Sequence, residues 1–323
     1  MPFWFDFTSD WLPKLNGWEF MRKVIVKEQS GSDLTDFQVK IELDSSNFSF
    51  DKCKSDGGDL RFRLPTGEEV PYWIEKWDNV SQSAIIWIKV PNIPANGETK
   101  VYMYYGNYSA ANGSNGFNTF MFFGDFEDGD ISDWNVNNLN YEINNGILTI
   151  YNCDDTGWMY KSSNLGSQFI VEMRCGGDLA DNCGQSDLHL MLFIWYQEPS
   201  TTYNTDRLEF FCPQVYSTES YLGFNEVKAG SSQTHALATL SGASTVSCRV
   251  QVKYNNGQVY MKSIEENGAF SGDGSATCSY YTTETFGYIG LGIDYRKYWI
   301  DWIAVRKYAS VEPTYEISDE YDI

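Results

Sequence analysis

Residues Thr119–Trp134 read TFMFFGDFEDGDISDW and mark the point where one pattern of strands ends and another begins. The stretch opens with a hydrophobic run of strand type, Phe120–Phe123, and turns within two residues into a cluster of carboxylates. The cluster consists of Asp125, Glu127, Asp128, Asp130 and Asp133. We interpret the stretch as the first strand of a second domain, with one half of a candidate calcium site directly after it.

Two segments before this junction, Phe37–Leu43 and Leu60–Leu64, alternate apolar and polar residues, which is typical of strands with one buried face. Ile85–Val90 and Lys100–Tyr105 supply two more strands. Because no stretch here has a helical period, the sequence predicts a small all-β sandwich over residues 18–117. An apolar N-terminal arm, residues 1–17, precedes it and is expected to pack on its own chain or on another copy.

The segments after the junction predict a larger β-sandwich over residues 118–310, followed by an acidic tail at 311–323. Tyr141–Ile150 and Val250–Tyr260 each contain Asn-Gly, which supplies the positive φ values of a type I′ hairpin. His189–Tyr196 is continuously apolar, as a strand buried on both faces would be. About ten or more such strands indicate a two-sheet jelly roll. The fold class is therefore all-β, with two β-sandwich domains.

The charge balance limits the partners of the protein. Lys and Arg number 23 against 44 Asp and Glu, a net charge of −21, which repels nucleic acid and anionic lipid. No apolar run is long enough to span a bilayer, so we expect no membrane insertion. The N-terminus lacks a signal-peptide pattern. Either a signal has been removed from this numbering, or the protein leaves its cell another way, for example in a virus particle.

Cysteine and asparagine patterns favour an oxidising, extracellular setting on a cell or virion surface. Six of the seven cysteines follow the junction, which suits up to three disulfides, and Cys175–Cys183 is the favoured pair because it brackets a turn-rich segment. Four glycosylation acceptor patterns all lie in the first domain. They begin at Asn47, Asn79, Asn107 and Asn112.

Several motifs in the first domain resemble those of a known family. LTDFQVKIELDSSNF, KSDGGDLRF, PYWIEKWD, IWIKVPNIPANGETKVYMYYGN and TFMFFGDFE occur in the order found in the family catalogued as domain of unknown function 2341. The resemblance covers about residues 18–126. It implies a modular, secreted or surface-attached protein of the archaeal and bacterial type, and it implies no chemistry.

The second domain resembles the concanavalin A-like lectin/glucanase superfamily, including its laminin-G-like members. The opening TFMFFGDFEDGDISDW and the closing YWIDWIAVRKY carry the resemblance. It implies that the first and last strands lie side by side, which would bring Asp125 and Glu127 near Asp301. Acidic oxygens suit a structural Ca²⁺. The alternative is an ordinary solvated acidic turn.

Aromatic residues amount to 16% of the chain, which suits both β-sandwich cores and glycan binders. The segment between Trp195 and Phe224 is the richest candidate surface; within it, Trp195 and Tyr196 are assigned to the core. The predicted glycan contacts are Tyr203, Asn204, Asp206, Arg207, Tyr216 and Tyr221.

The sequence leaves three functional hypotheses open. The first is a non-catalytic extracellular protein that acts in adhesion or binds a glycan or surface polysaccharide. The second is a structural subunit of a filament, envelope or virion that associates with other copies through its N-terminal arm. The third is a polysaccharide-active glycoside hydrolase. We favour a non-enzyme, because the Glu-x-Asp-x-x-Glu strand of hydrolytic superfamily members is missing, and Glu172 is the nearest acidic strand residue.

Overall fold

The computed structural model describes residues 14–152, 156–178, 188–199, 206–215, 220–240, 245–265, 271–294 and 297–323. It divides the chain into two compact units. Unit 1 comprises Met1–Thr119 and Ala309–Ile323, and unit 2 comprises Phe120–Tyr308. The described residues are almost entirely antiparallel β-structure, which confirms the all-β class.

Unit 1 begins with six strands: β1 Phe20–Lys27, β2 Leu34–Asp44, β3 Arg61–Arg63, β4 Tyr72–Asp78, β5 Ser83–Ile93 and β6 Glu98–Tyr105. A short helix, α1 Gly116–Thr119, follows. Unit 2 begins with β7 Phe122–Gly124, β8 Asn135–Asn137, β9 Asn140–Asn144, β10 Ile147–Tyr151, β11 Gly157–Gly166, β12 Gln168–Asp178, β13 Leu188–Trp195 and β14 Arg207–Val215. It continues with β15 Ser220–Lys228, β16 Ser231–Leu240, β17 Thr245–Asn255, β18 Gln258–Glu265, β19 Gly272–Thr277, β20 Phe286–Asp294 and β21 Lys297–Lys307. The chain ends with β22 Thr314–Ile317 and β23 Tyr321–Asp322.

Unit 1 is a sandwich of two antiparallel sheets. One sheet has the order β22-β1-β6-β3 with β23 also paired to β1, and the other has the order β2-β5-β4. Their facing side chains form one apolar core, in which Val24, Ile41, Phe62, Ile86 and Met103 are almost completely buried. The four segments predicted as strands therefore correspond to β2, β3, β5 and β6, and their buried residues form the inward faces.

The C-terminal residues correct the predicted domain assignment. Instead of a separate acidic tail, β22 and β23 pair with β1 and complete the sheet of unit 1. Glu320 of this segment forms ion pairs with Lys52 and Arg22 and accepts a 2.5 Å hydrogen bond from the Tyr105 hydroxyl. From its acidic composition this segment was interpreted as a short linker end or an exposed strand, since the cationic partners of Glu320 lie far earlier in the chain.

Asp59 joins two loops of unit 1 through a carboxylate that is completely buried. One oxygen accepts hydrogen bonds from the backbone N–H of Lys54, at 2.8 Å, and from the Cys53 thiol. The other accepts from the backbone N–H groups of Gly106 and Asn107, at 2.7 and 3.1 Å. All four partners are donors, so only a carboxylate satisfies them.

Replacing Asp59 with Asn is expected to destabilise unit 1, because the amide NH₂ would face backbone N–H donors. Leaving buried donors unsatisfied costs about 1–3 kcal/mol. The measurement is the free energy of urea unfolding. Asp56→Asn is the matched control, since Asp56 is exposed and accepts one local bond from Gly58; equal stability of the two variants would contradict the role of Asp59.

Unit 2 is a larger sandwich of an eight-stranded and a seven-stranded sheet. The eight-stranded sheet has the order β19-β18-β17-β12-β21-β10-β9 with β7 on β21, and the seven-stranded sheet has the order β16-β15-β14-β13-β20-β11-β8. A single apolar core lies between them. The β9–β10 and β17–β18 hairpins turn at Asn145-Gly146 and Asn256-Gly257, all with positive φ, as the Asn-Gly pattern predicts.

The first strand of unit 2 pairs with its last. In this antiparallel pairing, Gly124 of β7 lies opposite Ile303 of β21. The stretch Thr119–Trp134 thus contributes a short strand to the eight-stranded sheet. The pairing of the first strand with the last, which the superfamily resemblance implies, is present.

Glu172 anchors a charged network on the outer face of the eight-stranded sheet. Its carboxylate accepts hydrogen bonds from Arg306 at 2.9 Å, from Arg249 at 2.5 and 3.1 Å, and from Gln251 at 3.0 Å. Burial raises the pKa of Glu172, but the charges of Arg306 and Arg249 and the hydrogen bonds outweigh it and lower the pKa to about 2. The residue nearest to a hydrolase motif in the sequence is therefore held by two arginines and an amide.

Glu172→Gln is expected to destabilise unit 2 by about 3–5 kcal/mol at pH 7, because it leaves two arginine charges without their carboxylate. The folded-state pKa lies below the ordinary value of 4.5. The stabilisation is therefore complete above pH 4.5 and disappears as the pH falls toward 2. Urea unfolding at a series of pH values measures both effects.

Glu142→Gln is the control for that series. Glu142 forms an ion pair with Lys297 at 3.3 Å, in which both side chains are exposed, so a change within about 1 kcal/mol is expected. A Glu172→Gln effect that does not shrink at low pH would contradict the ionic explanation.

The described helices are a 3-10 turn at Phe50–Lys52 and the four-residue α1. No helix among the described residues has the length and hydropathy needed to cross a bilayer.

Candidate functional site

Strand β13 has apolar side chains on both faces. Leu190, Leu192 and Ile194 point into the core between the two sheets of unit 2. Met191 and Phe193 alternate with them, as does Trp195, and they belong to a second cluster on the outer face of the seven-stranded sheet. The continuous apolar run in the sequence therefore predicted correctly a strand that is covered on both sides.

Two glycines make room for large rings on that outer face. Gly290 of β20 lies between Phe193 of β13 and Tyr160 of β11 in the strand register. Gly292 lies likewise between Met191 and Trp158. A β-carbon at Gly290 would overlap the ring of Trp195, and one at Gly292 would overlap the ring of Phe193. The rings lean over the glycine positions because no side chain stands there.

We call the resulting surface the aromatic platform; it consists of Trp158, Tyr160, Phe193, Trp195 and Tyr288. Its inner rings are close together, with the Phe193 and Trp195 centroids 4.9 Å apart. Tyr160 stands edge-on to Trp195 and to Tyr288, at centroid distances of 5.9 and 6.1 Å. Trp158, Phe193 and Trp195 are buried, whereas Tyr160 and Tyr288 are half-buried. The platform therefore has a packed base and two accessible rings.

A carboxylate borders the accessible rings. The Tyr160 hydroxyl lies 3.5 Å from Oε1 of Glu198, which is exposed. Burial, together with the Glu198 charge, raises the pKa of Tyr160. The phenol can donate a hydrogen bond at physiological pH, as an ordinary tyrosine does.

Polar groups continue the outer face beyond the rings. Arg207 and Glu209 of β14 lie opposite Trp195 and Phe193, and they form a buried ion pair at 2.8 Å. The Arg207 guanidinium also lies over the Phe193 ring, 5.4 Å from its centroid. Asn225 of β15 is opposite Glu209, and its buried Oδ1 has no hydrogen-bond partner among the described residues. The polar half of the face is thus enclosed beside the aromatic half.

The structure describes three of the six predicted glycan contacts, Asp206, Arg207 and Tyr221. Tyr203, Asn204 and Tyr216 lie outside the described residues. Tyr221 lies on β15, opposite Gln214 of β14.

One of the described contacts, Arg207, differs from the prediction. Arg207 is 2% exposed and held by Glu209, so it offers no accessible guanidinium. Asp206 accepts a 2.8 Å hydrogen bond from the Ala229 backbone and supports a turn. Trp195 is buried as expected, but Tyr196 is 43% exposed, and its assignment to the core was wrong.

The predicted calcium ligands are not arranged as a metal site. Among the described residues there is no group of three or more His, Cys, Asp or Glu side chains that could hold a metal ion. Asp301 binds Arg174, with Nη1 and Oδ2 2.5 Å apart. Asp125 does lie near Asp301: burial, with the charges of Asp128 and Asp301, raises its pKa. The side chain of Glu127 lies against Gly146, at the β9–β10 turn.

The disulfide and glycosylation assignments stay predictions. Cys175 lies buried on β12, opposite Cys248 of β17, while Cys183 lies outside the described residues. Among the glycosylation acceptors, Asn79 and Asn112 are exposed, and Asn47 and Asn107 are half-buried. Residues 1–13 of the predicted arm are also outside the described residues.

Tyr160 and Tyr288 were not predicted from the sequence, because they come from strands far from Trp195 in the chain. A local signal for them exists in Gly287–Gly292, where Gly290 and Gly292 share one strand face. A strand face without side chains indicates that large neighbours fill the space from both sides. The identity of those neighbours depends on the strand order, which the sequence does not give.

A family model described as "Domain of unknown function (DUF2341)" matches residues 56–137. The match covers part of unit 1 and reaches into the first residues of unit 2. A search of curated proteins finds no match.

Solved structures with a similar fold include carbohydrate-binding modules and an enzyme. The CBM2 module of the evolved Dit of Lactobacillus casei BL23 phage J-1 has a TM-score of 0.44 at 10% identity, over 59% of this chain and 97% of that one. The carbohydrate-binding module CBM66 from Bacillus subtilis has a TM-score of 0.39 at 10% identity, over 55% and 98%. A xylan beta-1,4-xylosidase from Bacillus halodurans C-125 has a TM-score of 0.42 at 10% identity, over 76% and 52%. Likenesses this distant carry no information about function.

Gly290→Ala is expected to disrupt the aromatic platform, because the added methyl group would overlap the Trp195 ring and the Met159 carbonyl oxygen. Overpacking of this kind costs about 1–3 kcal/mol. Urea unfolding measures the loss, and near-ultraviolet circular dichroism reports the displaced rings.

Gly287→Ala is the matched control on the same strand. Its β-carbon would have nothing closer than the Tyr196 carbonyl oxygen at 4.0 Å, so a change within about 0.5 kcal/mol is expected. If Gly290→Ala behaved like Gly287→Ala, the rings would not be held as described.

Proposed function

We propose that unit 2 is a glycan-binding domain and that the protein acts without catalysis in adhesion or attachment to glycan-bearing surfaces. One observation carries this proposal: Tyr160 and Tyr288 present half-buried rings above a base of buried aromatic residues. A flat ring held at a fixed angle is a suitable partner for the apolar C–H face of a pyranose. Free aromatic side chains would have to be ordered on binding, whereas these are already ordered by the base.

The chemistry around the rings also suits a sugar. Small-molecule sites combine mostly apolar walls with a few placed polar groups. Here the Tyr160 hydroxyl and the Glu198 carboxylate lie at the edge of the accessible rings. Hydroxyl groups of a sugar can both donate to the carboxylate and accept from the phenol.

We further propose an extracellular location on a cell or virion surface. The exposed acceptor sites Asn79 and Asn112 support a secreted chain. A net charge of −21 favours neutral glycans over anionic partners. The Arg174–Asp301 ion pair does not fit a calcium ligand set, so the proposal includes no metal.

A glycan array tests the proposal, and calorimetry of a bound oligosaccharide tests the site. Tyr160→Ala and Tyr288→Ala are each expected to weaken binding by about 2- to 12-fold, since one aromatic contact contributes roughly 0.5–1.5 kcal/mol. Tyr108→Ala is the control, because Tyr108 is 60% exposed and belongs to unit 1. Absence of any bound glycan would overturn the proposed function. Equal binding by all three variants would overturn the site.

A further inference from the structure

The outer face of the eight-stranded sheet carries a pocket that the aromatic platform does not share. The pocket has a volume of about 380 Å³ and is lined by Asn144, Ile147, Thr149, Arg174 and Trp299. Its volume falls within the range of roughly 300–1,000 Å³ that is typical of small-molecule sites. The platform lies on the seven-stranded sheet, and the core of unit 2 separates the two faces.

A β-bulge shapes the floor of this pocket. In the pairing of β12 with β21, Arg174 lies opposite Trp302 and Cys175 opposite Ile300, so Asp301 has no opposite residue. Ile300 and Ile303 both point into the core, and the two residues between them therefore face outward. A bulge is a common device for re-aiming a side chain next to a site. Here it directs Asp301 toward Arg174.

Arg174 connects the aromatic and polar parts of the pocket. Its guanidinium lies over the Trp299 ring, 5.4 Å from the centroid, while Nη1 binds Asp301. The side chains of Arg174 and Asp301 are 32% and 28% exposed, so solvent or a ligand can reach both. Because the charges of Arg174 and Asp301 neutralise each other, this ion pair makes the site polar without adding a net charge.

The walls supply further groups of the same kind. Thr149 of β10 is the cross-strand neighbour of Trp299, and Asn144 ends β9 at the adjoining hairpin. Trp299 is half-buried, and Asn144 is exposed. A half-buried indole is thus surrounded by a hydroxyl, an amide and a guanidinium, all of which form hydrogen bonds with sugar hydroxyls.

We propose that this pocket is a second glycan site, for a neutral pyranose, so that unit 2 binds glycan chains on two opposite faces. The choice of ligand class rests on the function proposed above. The net charge of −21 disfavours an anionic sugar. Two sites on opposite faces can engage two chains at once, which increases attachment to a multivalent surface without any additional contact.

Calorimetry of the full chain with neutral hexasaccharides tests the proposal. Cellohexaose, xylohexaose, mannohexaose and chitohexaose are the probes, and hexagalacturonate is the anionic counterpart. The wild type is expected to bind two molecules of a neutral probe, Trp299→Ala one, and the double variant Tyr160→Ala/Tyr288→Ala one. Thr149→Val removes only a hydroxyl and is expected to weaken the second site by about 2- to 12-fold.

The outcomes separate the two sites. If Trp299→Ala leaves stoichiometry and affinity unchanged, the second site is refuted, whatever happens at the platform. If the double tyrosine variant has no effect but Trp299→Ala removes binding, the platform fails and the pocket stands. Preference for hexagalacturonate would overturn the neutral-sugar assignment. Thermal melting of each variant, with Trp299→Phe as a smaller change, ensures that lost binding does not reflect lost folding.

Discussion

The structure of unit 2 depends on the burial of β13 on both faces. Residues 190–195 of this strand are all apolar, and an exposed apolar face would be an aggregation site, so each of its faces must be covered. The second sheet covers the inner face through the common core. The outer face is covered by aromatic side chains of the neighbouring strands and by the buried Arg207–Glu209 pair. This requirement places large rings on a surface where most sandwiches carry polar residues.

The glycines of β20 determine how the rings that cover the outer face of β13 are arranged. Without Gly290 and Gly292, the rings of β13 and β11 would have to stand upright. They lean together instead, which packs Trp195 beneath Tyr160 and leaves Tyr160 and Tyr288 accessible. The same contacts that bury β13 therefore fix the orientation of the rings that would stack on a sugar. Stability and binding are linked at this face, and a change at a glycine affects both.

Much of the fold could be predicted from local patterns. Alternation identified the inward faces of the strands, and Asn-Gly identified two hairpins. The change of pattern at Thr119–Trp134 indicated where unit 2 begins. The pairing of the C-terminal segment with β1 was not predicted, because the partners of Glu320 are distant in sequence. Arg207 looked accessible because a local pattern does not show that Glu209 and Phe193 enclose it. Asp301 looked like a metal ligand for the same reason, since its partner Arg174 belongs to another strand and meets it only through a bulge. The aromatic platform could not be predicted, since it requires the order of β11, β20 and β13.

Fluorine NMR of the protein labelled with 5-fluorotryptophan, titrated with a bound oligosaccharide, tests the central claim most directly. Each resonance can be assigned by a single Trp→Phe substitution. The platform predicts that the Trp195 signal shifts on binding, because this ring packs against Tyr160. The signals of Trp73 and Trp87, which lie on β4 and β5 of unit 1, are expected to stay unchanged. An unshifted Trp195 signal at saturation, or shifts confined to Trp73 and Trp87, would contradict the account.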